Sequence, residues 1–132
     1  MKNKKLGYIS WIAQIIAAII LAQTLFFKFS GAAESVALFT KLGVESFGRY
    51  GAGIMELITV ILLLIPRTVW LGAILGIITM GGAIMAHLTV LGIESSGDGG
   101  YLFFLALITL TCCLIVAYIR KSDILSRFHF LT

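Results

Sequence analysis

Charge is scarce in this chain. Asp, Glu, Lys and Arg make up 12% of its 132 residues, where a soluble domain carries about 25%. So little charge cannot coat a water-facing surface of this size, and an ordinary soluble globule is excluded. Cysteine is as rare. The two that occur, Cys112 and Cys113, are neighbours, so they build no disulfide framework. On a helix they point about 100° apart, and they read as small packing residues. There is one proline, Pro66, and six acidic residues against ten basic ones. A net charge of +4 raises the question of nucleic acid. The basic residues, however, sit at the ends of apolar runs and form no stripe interleaved with aromatics, so nucleic acid is not a partner. No His/Cys/Glu cluster has metal-ligand spacing, no Gly-rich loop prepares a phosphate site, and no nucleophile–base pair is evident. The residues make no self-sufficient catalytic constellation and imply no cofactor by themselves.

What the chain has is hydrophobic length, with 60% of residues apolar. Its centre is a hairpin, residues 48–65 and 69–91, hinged at Ile65-Pro66-Arg67-Thr68. Proline cannot continue the first helix, and it pushes the residue before it out of helical geometry. Apolar runs of about 18 or more residues read as membrane spans. Residues 6–27 form another, behind the basic flank Met1-Lys2-Asn3-Lys4-Lys5; its apolar stretch exceeds the roughly 7–15 residues of a cleaved signal, so it reads as a retained span. Residues 101–119 form the fourth, with Tyr101 and Tyr118 at its two ends. Between the first two spans, residues 33–42 place Val36, Phe39 and Leu42 on one side, with Ser30 as a cap and Gly43 as a stop. That is a short amphipathic helix in the interface plane, over the mouth of the bundle. The expected fold is all-α: a single-domain integral membrane four-helix bundle with this interfacial helix.

Two residues do not belong in hydrocarbon: Glu56 in the second span and His87 in the third. Ionisable groups at membrane depth are costly and mark a functional interior. At about 1.5 Å per residue, Glu56 lies roughly 12 Å and His87 roughly 6 Å below the same end of the bundle. Gln23 is at a depth like that of His87, and Lys28, Arg49 and Asp98 lie above. These six form the candidate site, with Arg49 expected over Glu56 and Gln23 approaching from the first span. They read either as a polar network locking the helices together or as a pocket for a ligand or a proton. Gln14 and Gln23 also suit interhelical hydrogen bonds, and Gly72, Gly76 and Ala83 mark a seam for close helix approach, within the bundle or in a homodimer.

Orientation follows the count of Lys and Arg. Lys2, Lys4, Lys5, Arg67, Arg120, Lys121 and Arg127 fall on one side; Lys28, Lys41 and Arg49 fall on the other, together with Glu34, Glu45, Glu94 and Asp98. The first side is expected to be cytoplasmic, with both termini there and the candidate pocket in the outer half.

Several stretches carry a family likeness. Phe26-Phe27-Lys28-Phe29-Ser30-Gly31, Gly48-Arg49 through Glu56, Leu62-Leu63-Leu64-Ile65-Pro66-Arg67 and Gly81 to His87 together resemble the DoxX family of small four-helix bacterial membrane proteins. Leu91-Gly92-Ile93 with Gly97-Asp98-Gly99-Gly100 is similar to one subgroup of it. The resemblance implies a bacterial inner-membrane protein with an accessory or binding role in a quinone-linked or other membrane redox system. Quinone is then the implied ligand, and the implied partners are a membrane oxidoreductase and the lipid bilayer. The alternative is a proton-coupled or small-solute carrier acting as a homodimer, with Glu56 and His87 as its exchangeable pair.

Overall fold

The computed structural model describes residues 4–94, 99–122 and 124–125. Its elements are α1 (Lys4–Ser30), α2 (Ala33–Lys41), α3 (Phe47–Leu64), α4 (Val69–Ala86), which runs on through one wide π turn (His87–Leu91), and α5 (Tyr101–Ile119). Among the described residues there is no strand. Four stretches, Lys4–Ser30, Phe47–Leu64, Val69–Leu91 and Tyr101–Ile119, are long and apolar enough to cross a membrane. They pack in a ring in which α1 touches α3 and α5, and α4 touches the same two. The expected all-α four-helix bundle with a short fifth helix is what forms.

Burial is inverted relative to a soluble protein. Ile12, Ile19, Ile61, Ile78, Phe104 and Leu114 point outward, while Ser10, Gln14, Thr59, Thr109 and Glu56 are buried. Lipid solvates the outer residues, so the fold buries its small and polar ones instead. The chain is an integral membrane protein.

The hairpin bend shows how the helix break is accommodated. Pro66 has no N–H for the carbonyl of Leu62, and Ile65 turns extended at φ −99, ψ 120, as a residue before proline should. The freed carbonyls find side chains. Thr68 Oγ1 lies 3.0 Å from the oxygen of Leu62, and Gln14 Nε2 donates to that of Leu63 at 2.8 Å. The expected role of Gln14 as an interhelical bond is thus met at a proline-broken end, where a carbonyl had no partner. Ser10 donates to Gln14 Oε1 at 2.6 Å, and Arg120 reaches Ser10 and Gln14 at 3.4 Å each.

The glycine seam is internal to the bundle. A Cβ on Gly72 would come within 2.8 Å of the Leu63 backbone nitrogen, and one on Gly76 within 2.5 Å of Cys113 Sγ. Both cysteines are free and buried, and Cys113 lies in this seam. Ala83 is partly buried, lies toward the opposite end and packs against the same core.

Two boundaries moved. α1 runs on to Ser30, so Ser30 ends that helix and does not cap the next; its hydroxyl bonds back to Phe27 at 3.4 Å. Ala32 takes the N-cap place of α2 with no side-chain cap. The expected stop holds: Gly43 sits at φ 77, in the left-handed region that favours glycine.

Candidate functional site

The end of the bundle beneath α2 is hollow. A cavity of about 350 Å³ lies among the C-terminal half of α1, the N-terminal halves of α3 and α5, and the C-terminal part of α4, with α2 across it. Leu21, Phe39, Met55, Met80, Leu105 and Ala106 give it apolar walls. Leu38 and Phe39 of α2 and Leu42 just after it face the cavity together with Glu34 and Ser35. Phe39 and Leu42 thus lie as the amphipathic pattern has them, while Leu38 stands where Val36 was expected. Lys41 Nζ ties α2 to the carbonyl of Leu91 at 3.4 Å.

One ion pair stands in those walls. Glu56 is 6% exposed; its Oε1 accepts from Lys28 Nζ at 2.9 Å and its Oε2 lies 2.9 Å from Thr24 Oγ1. The single Thr24 proton is shared with the Leu21 carbonyl at 3.0 Å. A lone carboxylate in hydrocarbon would be prohibitive, so Lys28 bends its long stem down from the helix end to meet it. Arg49 acts one layer out. It donates through Nη1 to the backbone carbonyl of Lys28 and through Nε to Glu45 at 2.8 and 3.1 Å, and its guanidinium lies over Tyr50 at 4.4 Å. It pins the end of α1 to the start of α3 and so holds Lys28 over Glu56. Arg49 is expected over Glu56, and it does lie in the layer above, with Lys28 between them as the cation that meets the carboxylate.

His87, 4% exposed, lines the same cavity from the π turn. Its Nδ1 is 3.0 Å from the Gly92 carbonyl, and its ring packs on Phe103 with 5.6 Å between centroids. The expectation that Glu56 and His87 line one cavity therefore matches the arrangement.

Gln23 does not belong to the site. It is exposed on the outer face of α1, and Thr24 occupies the place expected of it. The reason is rotational: Gln23 is nine residues from the buried Gln14, which at 100° per residue is a half-turn away. The signal for Thr24 was present. Gln14, Ala17, Leu21, Thr24 and Lys28 advance in steps of three and four, and all but the partly exposed Thr24 and Lys28 are fully buried. Asp98 lies outside the described residues. Among the described residues no three of His, Cys, Asp and Glu gather as metal ligands would.

What the geometry offers is a half-enclosed apolar chamber with a fixed ion pair, an imidazole and a helix across it. Comparison with known proteins adds no name: no family model matches the chain, and no curated protein or solved structure matches it either.

Proposed function

We propose that this protein binds a small, largely apolar ligand with a polar head in the cavity beneath α2, as an accessory or binding subunit of a membrane redox system. The observation that carries this reading is the cavity itself: about 350 Å³ of mainly apolar space with Glu56, Lys28 and His87 set into its walls. Ligand sites have this make-up, apolar walls with a few placed polar groups, and volumes of about 300–1,000 Å³. The likeness of the Gly48–Glu56 and Gly81–His87 stretches to the DoxX family supports a quinone as the ligand and a membrane oxidoreductase as the partner. The Lys and Arg distribution supports an inner-membrane orientation with both termini cytoplasmic and the cavity facing outward.

The carrier reading has less support. Its homodimer was to form on Gly72 and Gly76, and those glycines are occupied by α3 and α5 of the same chain. A path through the bundle would also have to part Leu63, Val69, Cys113 and Val116, each at most 1% exposed.

Purification in native lipid, with mass spectrometry of what comes along, tests the reading. A quinone or similar amphiphile retained by the native protein and lost from Glu56→Gln is the expected result. A protein that carries no small molecule and moves protons across liposomes would replace it with the carrier. Reporter fusions at Gly97 and Thr132 test the orientation and should read outside and inside.

A further inference from the structure

Among the titratable groups around the cavity, His87 is the one whose proton a backbone carbonyl places. It opens the π turn, and Gly92, at φ 79, brings its carbonyl oxygen to 3.0 Å from Nδ1. A carbonyl oxygen only accepts, so Nδ1 carries the hydrogen. In the neutral ring Nε2 is then a bare acceptor. Among the described residues, no buried side-chain nitrogen or oxygen lacks a hydrogen-bond partner. Nε2 has no protein partner there, so it keeps open contact, and the surface that His87 presents is the cavity wall. Glu34 and Ser35 of α2 also line the cavity; the polar groups on the spanning helices are already engaged. Lys28 and Thr24 hold the two oxygens of Glu56, and the Thr79 and Thr109 hydroxyls donate back to their own helices.

We infer that the cavity takes an uncharged amphiphile with a hydroxyl donor on its head, and that His87 Nε2 accepts that hydrogen bond. The inference rests on reading the cavity as a ligand site and adds the chemical class of the head. A carboxylate head has no proton to give Nε2 and would stand beside Glu56. A head with acceptors alone, an oxidised quinone among them, leaves Nε2 unpaired inside an apolar chamber, which buried polar groups tolerate poorly. Of a quinone couple, the reduced, dihydroxy form is therefore the one that fits. A hydroxyl satisfies Nε2, and its own oxygen remains free to accept from the spare protons of the Lys28 ammonium.

The test uses the full-length protein in nanodiscs near pH 8, where an ordinary imidazole is neutral, with isotope-labelled histidine. The chain has two histidines, and a His129→Gln variant assigns them. The probes are para-hexylphenol and its methyl ether, para-hexylanisole, which differ by the donor. Binding is counted above uptake by protein-free nanodiscs. In the ligand-free protein the His87 proton should be on Nδ1. The phenol should shift the Nε2 resonance to saturation, and the ether should bind about tenfold more weakly, as for one lost hydrogen bond. A proton found on Nε2, or equal binding of the two probes, overturns the inference and leaves the cavity a ligand site. If neither probe binds, the ligand-site reading falls and takes this one with it. His87→Phe should bring the phenol down to the affinity of the ether; should that variant not fold, the two-probe comparison on the native chain decides alone.

Discussion

The two ends of this bundle handle the same problem, polar groups in hydrocarbon, in opposite ways. At the Pro66 end, Ser10, Gln14, Arg120 and the Leu63 carbonyl bond to one another, and close-packed residues fill the space between the helices. At the α2 end, Glu56, Lys28, Thr24 and His87 surround a void. Both sets are hydrogen-bonded except at His87 Nε2, so satisfaction of polar groups alone does not separate structure from function here. The empty volume does. Native interiors are close-packed, and a cavity of this size costs stability unless something occupies it. The packed end holds the fold, and the hollow end is where function is to be sought.

Gly72 gives the largest expected effect and tests the packed end directly. A Gly72→Leu side chain would meet the backbone of α3, which cannot step aside as a flexible side chain can. We expect a loss of about 3 kcal/mol or more, at or beyond the upper range for overpacked cores, read as a collapse of Tm in detergent. Gly81 is the control, with nothing within 4 Å of an added Cβ. Gly81→Ala should be neutral or stabilise by up to about 1 kcal/mol through helix propensity. Equal losses at both positions would mean that the seam is not the anchor.

Gln14→Leu comes next. It keeps the apolar bulk and removes the donor that serves the Leu63 carbonyl. An unpaired buried carbonyl costs about 1–3 kcal/mol, so Tm should fall while ligand retention per folded molecule is unchanged. Gln23→Leu, on the exposed face of α1, should leave Tm within about 2 °C for a change within about 0.5 kcal/mol. If Gln23 proves the more costly of the two, the assignment of inner and outer faces on α1 is wrong.

That pair also marks where the sequence was legible. The four spans, the short helix between the first two of them and the break at Pro66 could be read because hydrophobic length and proline geometry act locally. The meeting of Glu56 and His87 at one end could be read because depth scales with residue number. Helix rotation was harder. The apolar runs have no polar face of their own, so the inward stripe of α1 shows only through small and polar residues such as Gln14, Ala17 and Thr24. Judged by type alone, Gln23 outranked Thr24, although the angle from Gln14 favours Thr24. The partner of Glu56 was missed for another reason: Lys28 reaches down from the helix end by the length of its side chain, which a Cα-based depth does not count. The π turn that aims His87 had no signal in the pattern beyond Gly92.

Glu56→Gln tests the hollow end. The amide keeps the shape and its oxygen can still accept from Lys28, so the fold should lose no more than about 1 kcal/mol. Ligand retention should fall about tenfold, the equivalent of about 1.4 kcal/mol, if the fixed ion pair orients the head group. Unchanged retention would make Glu56 a helix-packing bond like Gln14, and the two ends would then differ in volume alone.

The smallest effect is expected where the chemistry looks most suggestive. Cys112 and Cys113 are adjacent thiols in a membrane protein proposed to serve redox partners, yet their surroundings are those of the packed end. Cys113 is fully buried with Gly76 close against it, and Cys112 is 8% exposed in the same core. Replacing both by Ala removes two sulfur atoms and should cost about 1 kcal/mol for each, as loss of one buried methylene-sized group does. Ligand retention should stay within about threefold, since neither side chain lines the cavity. A drop in Tm with retained binding would place the thiols with Gln14 and Gly72 among the groups that hold the bundle. Loss of partner activity at an unchanged Tm would be the opposite result: it would give the packed end a chemistry of its own and remove the division of labour between the two ends.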